Sequence, residues 1–176
     1  MKLKATVNAR QLVKLLLLMG ISAAACYGIL KLSNGFAASV FEEILTAFLV
    51  VAMLLSAMSV AMFTYLDNIA KDLTELRNEV NRSNYSIAQE KLTQLKREVL
   101  YNGALIVFLL ILERSIKGVA VYLTTQLPPQ DAALIVEVSI PLRVALFVTS
   151  IWAASGQLRG FLVAAEFRDV IAKNRK

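Results

Sequence analysis

Residues 101–124 read YNGALIVFLLILERSIKGVAVYLT, an apolar run with Glu113 and Arg114 near its centre. A helix rises about 1.5 Å per residue, so roughly 20 such residues cross the ~30 Å hydrocarbon layer of a bilayer. Charge at that depth is costly unless it is paired, faces a protein interior or lines a watery path. Lys117 in the same run, with Glu137 and Arg143 in the next, adds to the load. The pattern predicts a small multi-span membrane protein with a polar interior.

The rest of the chain agrees. Of its 176 residues 57% are hydrophobic, and the mean hydropathy of +0.61 exceeds what a soluble domain of this length carries. Four apolar runs, at residues 12–30, 40–65, 100–123 and 132–158, are each long enough to span. A β-barrel would instead show alternating segments of about 10 residues between turns, and there are none. The expected fold is an all-α integral membrane protein with four transmembrane helices, a single membrane domain over residues 1–176. Lys2, Lys4, Arg10 and Lys14 followed by Leu15–Leu18 imitate a signal peptide. The apolar run continues past Cys26 to Leu30, which favours a retained helix. Cys26 is the only cysteine, so no internal disulfide forms.

Lysine and arginine near span ends set orientation. Residues 1–14 carry four bases and no acid, residues 67–100 carry six of each, and residues 159–176 carry five bases against Glu166 and Asp169. The connection at 32–38 is uncharged, and the one at 125–131 has only Asp131. The charge predicts a multi-pass protein of the cell (inner) membrane with both termini and the long connection in the cytoplasm. It also predicts contact of the basic tails with anionic membrane lipid. No arginine-rich or aromatic-interleaved patch suggests nucleic acid.

The long connection has structure of its own. Ile69, Leu73, Leu76 and Val80 recur with 4-3-4 spacing, and Ala88, Leu92, Leu95 and Val99 repeat it. Asn81–Tyr85 reads as a turn between them, with Ser86 and Gln89 as a capping box. Residues 67–99 are thus expected to form a cytoplasmic antiparallel helical hairpin between spans two and three. Its apolar positions either pack on each other as a stalk or bind a soluble cytoplasmic partner, with Ile69, Leu73, Leu76, Leu92, Leu95 and the tip residue Tyr85 as contacts. Residues 159–176 read as an amphipathic tail helix, against the membrane or against the hairpin.

Gly20, Ala24 and Gly28 share one face of span one, a pattern that lets helices approach closely within the chain or in a homo-oligomer. Between Lys31 and Arg143 the spans hold four bases and four acids: Lys31, Arg114, Lys117 and Arg143 against Glu42, Glu43, Glu113 and Glu137. Counted inward from the outer surface, Glu113 and Arg143 both lie about 16 Å deep, Lys117 and Glu137 about 8–10 Å. Glu42 and Glu43 fall near Lys31. Balanced charge points to a paired network, and Glu113→Gln is then expected to disturb assembly much as Arg143→Gln does. Pro141 removes a backbone donor two residues before Arg143 and is the expected helix kink.

Enzymatic chemistry is disfavoured. There is no histidine, the commonest general base and metal ligand, and no phosphate loop or nucleophile elbow. Neither a metal nor a cofactor is expected. In architecture alone, over the whole chain and on no matched residue, the plan resembles small bacterial membrane subunits paired with a soluble effector, including those of anti-phage defence systems such as Kiwa. The resemblance implies an oligomeric anchor or sensor subunit of a protein complex. The alternative is an ion-conducting pore subunit.

Overall fold

The computed structural model describes residues 2–75 and 82–174, with side chains described over 13–74 and 86–166 and at Arg168. It is all-helical: α1 Lys2–Leu32, α2 Ala37–Glu75, α3 Arg82–Gln126 and α4 Pro129–Asn174. No strand occurs among the described residues. Three helices are long and apolar enough to cross a membrane, over Val13–Leu32, Ala37–Thr74 and Pro129–Glu166. The fourth, α3, is the one that carries Glu113, Arg114 and Lys117.

The helix ends follow from local chemistry. Asn34 (φ 49°) and Gly35 (φ 84°) take left-handed backbone after α1. Gly35 N–H donates to the Leu30 carbonyl and Asn34 N–H to that of Lys31, the paired bonds of a Schellman stop. Ser33 Oγ then accepts from Ala37 N–H at 3.2 Å, capping the start of α2. At the other connection Pro129 stands in the first turn, where its missing N–H costs nothing, and the Pro128 carbonyl accepts from Asp131 and Ala132. Only Leu127 and Pro128 therefore separate α3 from α4.

At its start, α3 differs from expectation. Arg82–Tyr85 are helical where the sequence suggests a turn, so α3 begins at Arg82 and not at Ser86. Arg, Ser and Asn cost only a few tenths of a kcal/mol each in a helix, which a long neighbouring helix readily offsets. Residues 76–81 lie outside the described residues. Pro141 is buried inside α4, which remains helical through it.

The helices form two compact units, Met1–Ala52 with Phe108–Ile151 and Met53–Val107 with Trp152–Lys176. In the first, Cys26 and Leu30 of α1 pack on Ile140 and Val144 of α4 and on Ala37, Ala38 and Phe41 of α2. Phe48 meets Phe147 edge-on at 5.1 Å. In the second, Met62, Leu66, Ile69 and Leu73 of α2 pack on Leu92 and Val99 of α3 and Ala164 of α4. This is a three-helix bundle, so the C-terminal part of α4 packs on the α2–α3 pair. Tyr65 stacks near Phe161 at 5.3 Å, and Leu95 reaches to 3.5 Å of a Cβ position at Gly160.

Burial is inverted relative to a water-soluble protein. Leu16, Leu54, Val60 and Phe108 are more than half exposed, while Glu113, Arg143, Thr149, Ser150 and Gln157 are buried. Apolar surface on that scale is a liability in water and ordinary in lipid. With three apolar helices, it suggests a membrane protein.

In the three-helix unit, Leu92→Ala removes a side chain that is 1% exposed. It is expected to cost about 2–5 kcal/mol in detergent unfolding, whereas Leu100→Ala, at 62% exposure, is expected to stay within about 0.5 kcal/mol.

Candidate functional site

The charges that the sequence places in the spans converge in the first unit on Arg143. Its side chain is 2% exposed. Nε donates to Glu113 Oε1 of α3 at 2.8 Å, and Nη1 donates to Glu42 Oε1 of α2. One guanidinium on α4 thus holds a carboxylate from each of two other helices. A planar donor fork can serve two acceptors at once, which a point-charge ammonium does less well.

Helical geometry decides who joins this cluster. Glu113 and Lys117 are four residues apart and share a face of α3. Lys117 Nζ accordingly lies 4.0 Å from Glu42 Oε2. Arg114, one position round the helix, brings Nε to 3.3 Å from Glu113 Oε2, though without hydrogen-bond geometry. Glu137 is six residues from Arg143, about 120° away on α4. It meets α1, where Lys31 Nζ sits 2.5 Å from Glu137 Oε1. Glu43 is exposed and forms no ion pair among the described residues.

Equal depth alone would pair Lys117 with Glu137 and set Glu42 near Lys31. The structure exchanges those partners, because azimuth as well as depth selects a contact. Arg143 also has two carboxylates to Glu113's one close guanidinium, so the two are not equivalent. Arg143→Gln would take the closest cation from two acids, leaving Glu113 with Arg114 at 3.3 Å and Glu42 with Lys117 at 4.0 Å, whereas Glu113→Gln leaves Arg143 still paired with Glu42.

The small-residue face of α1 is open. A Cβ at Gly20 or Gly28 would meet nothing within 4 Å, and Ala24 is exposed. Its close packing is therefore not within the described chain. Gly156 and Gly160 of α4, by contrast, face Asn102 and Leu95 of α3.

The expected partner contacts lie mainly inside the second unit. Ile69, Leu73 and Leu92 are buried in its core and Leu95 is half-buried against it. The 4-3-4 spacing marks mutual packing, so these four are not a free surface. Leu76 and the side chain of Tyr85 lie outside the described residues. The unit exposes the charged Lys71, Glu90, Lys91, Arg97, Glu98 and Arg159 together with apolar residues such as Ile87, Leu100 and Leu162. Lys96 and Asp67 tie α3 to α2 at 2.6 Å, and Arg97 stacks on Tyr101 of its own helix at 5.3 Å.

One polar clamp escapes the charge-based reading. Buried Ser59 Oγ of α2 donates to Gln157 Oε1 of α4 at 3.0 Å, and Gln157 Nε2 donates to the Val99 carbonyl of α3 at 3.3 Å. Gly103 makes room, since a Cβ there would lie 3.1 Å from Ser59 Cβ. A lone glutamine in an apolar run was the available signal, because such groups bond across helices. No group of residues suited to holding a metal ion occurs among the described residues.

Because Arg143 serves two acids, Arg143→Gln is expected to cost about 3–5 kcal/mol in detergent unfolding, and more than Glu113→Gln. The double variant is expected to fall short of additivity, since removing the second partner no longer strands the first. Additive singles would show that the two do not interact.

Comparisons with protein-family models, with curated proteins and with solved structures found no match to this chain.

Proposed function

We propose that the chain is a four-span anchor subunit of the cell membrane, with both termini and the three-helix stalk on the cytoplasmic side, that presents the stalk's charged outer surface to a soluble partner. The observation that carries this reading is the self-packed stalk of the second unit. The described apolar residues of the 4-3-4 repeats are satisfied internally, and the stalk's exposed positions include Lys71, Glu90, Lys91, Arg97 and Arg159, beside apolar Ile87, Leu100 and Leu162. A formed, polar surface of this kind is a recognition surface for a complementary protein. The distribution of lysine and arginine supports the orientation.

The open Gly20–Ala24–Gly28 face supports association of copies through α1, which makes the anchor oligomeric. The pore reading has less behind it. The membrane charges engage one another, as a network that fixes helices does.

Orientation is testable by cysteine labelling in a Cys26→Ala background. Thr93→Cys is expected to react with a membrane-impermeant maleimide only in inside-out vesicles, and Asn34→Cys only in intact cells. Labelling of Thr93→Cys from outside would overturn the topology. For docking, a photo-crosslinker at Thr93 is expected to trap a soluble protein that Lys91→Glu with Arg97→Glu no longer traps. Those exposed changes should shift stability by less than about 1 kcal/mol. Undiminished crosslinking in the charge-reversed protein would remove the docking proposal.

A further inference from the structure

The cluster around Arg143 does not balance. Five charged groups from three helices belong to it: Glu42 of α2, Glu113, Arg114 and Lys117 of α3, and Arg143 of α4. Three are cations and two are anions, an excess of one positive charge. Lys31 and Glu137 neutralise each other separately, and Glu43 contributes no pair. Three atoms inside the cluster, Arg143 Nη2, Arg114 Nε and Glu113 Oε2, are buried and form no hydrogen bond among the described residues, although the last two lie 3.3 Å apart as an ion pair. Lys117 reaches its carboxylate only at 4.0 Å. An uncompensated charge with unused donors in an apolar surrounding is costly, so the arrangement has a use for one more negative group.

We propose that this cluster binds one monoanion, either a small halide or the phosphodiester of an anionic lipid headgroup. Chemistry favours charge one: a monoanion brings the cluster to neutrality, whereas a dianion would overshoot it. Water could accept from the unused donors but would leave the charge excess in place. The side chains of Arg114, Lys117 and Glu42 are 36%, 38% and 40% exposed, so an anion approaches from their side and reaches the buried Arg143 Nη2 when they shift. Arg143 Nη2 is the donor for the anion, since Arg114 Nε already faces Glu113 Oε2 at 3.3 Å, and Lys117 supplies the surplus charge. Glu42 and Glu113 meanwhile hold the guanidinium of Arg143 in place. Each carboxylate has a second cation at hand, Lys117 for Glu42 and Arg114 for Glu113. The acids can therefore shift toward those partners when an anion engages Arg143, which gives the anchor an element responsive to anion occupancy.

The test is the thermal unfolding of the full chain in a neutral detergent at constant ionic strength. Chloride is exchanged for bulky gluconate, and phosphatidylglycerol is added or withheld. The wild-type midpoint is expected to rise by several degrees, saturably, with chloride, with phosphatidylglycerol or with both. A rise with only one of them identifies that source. Lys117→Gln removes the surplus charge, so its midpoint is expected to be insensitive to both additions and, without them, higher than that of the wild type. Arg114→Gln serves the same purpose if Lys117→Gln does not fold, and Lys91→Gln, in the other unit, is expected to keep the wild-type response. A wild-type midpoint unchanged by both additions would overturn the proposal. So would a full response retained in Lys117→Gln or Arg114→Gln.

Discussion

The constraint on which the first unit depends is that Arg143 cannot be buried alone. A guanidinium stays protonated at any ordinary pH, so it cannot escape burial by neutralising itself. It must be met by acids, and those acids come from Glu113 on α3 and Glu42 on α2. Apolar helices in lipid have little reason to prefer one neighbour over another, since lipid tails are as apolar as leucine. Polar contacts then decide which helix faces which. Arg143 sets the rotation of α4 against α2 and α3, and the Lys31–Glu137 pair sets α1 against α4. The packing of Cys26 and Leu30 on Ile140 and Val144 is the apolar complement of that second pair.

The second unit solves the same problem with neutral groups. Gln157 bonds to Ser59 on one helix and to a backbone carbonyl on another, which specifies three helices without burying net charge. Gly103 permits the close approach that this requires. Farther along, Asp67 and Lys96 provide a half-exposed ion pair, and the 4-3-4 apolar positions supply the core between. Buried neutral polar contacts cost less to desolvate than charges, so a bundle fixed in this way needs no further counter-ion.

Much of the fold was readable because its signals are periodic or compositional. Four long apolar runs gave the number of helices, and the two heptad-like repeats gave the pairing of Ile69 and Leu73 with Leu92 and Val99. The tail helix was readable as amphipathic, but its choice between lipid and the hairpin was not. That choice rests on Ala164 and Phe161 finding complementary shape on α2 and α3, which no spacing rule encodes. At the candidate site, depth counting brought Glu113 level with Arg143. It gave Lys117 and Glu137 the same depth but not their partners, Glu42 and Lys31, because a count along one helix contains no information about the direction its neighbour faces. The start of α3 at Arg82 was hidden for a different reason. Residue propensities there are weakly unfavourable, and a long helix extends through such residues at small cost.

The self-packing of the stalk also changes the kind of partner the proposed function requires. If Ile69, Leu73 and Leu92 were exposed, the partner would bring an apolar groove, and affinity would come from area removed from water. With those residues inside, recognition under the proposed function would fall to groups at the surface, of which Arg97 stacked on Tyr101 is one already ordered by a neighbour. Arginine and tyrosine are the residue types that concentrate binding energy at interfaces, and a pre-set rotamer lowers the entropy lost on docking. Charge-led recognition of this kind is fast to form and weakened by salt. Under the proposed function, such an anchor would hold its partner reversibly and leave the persistent contacts to its own core, where Leu92 and Arg143 each do one part of the fixing.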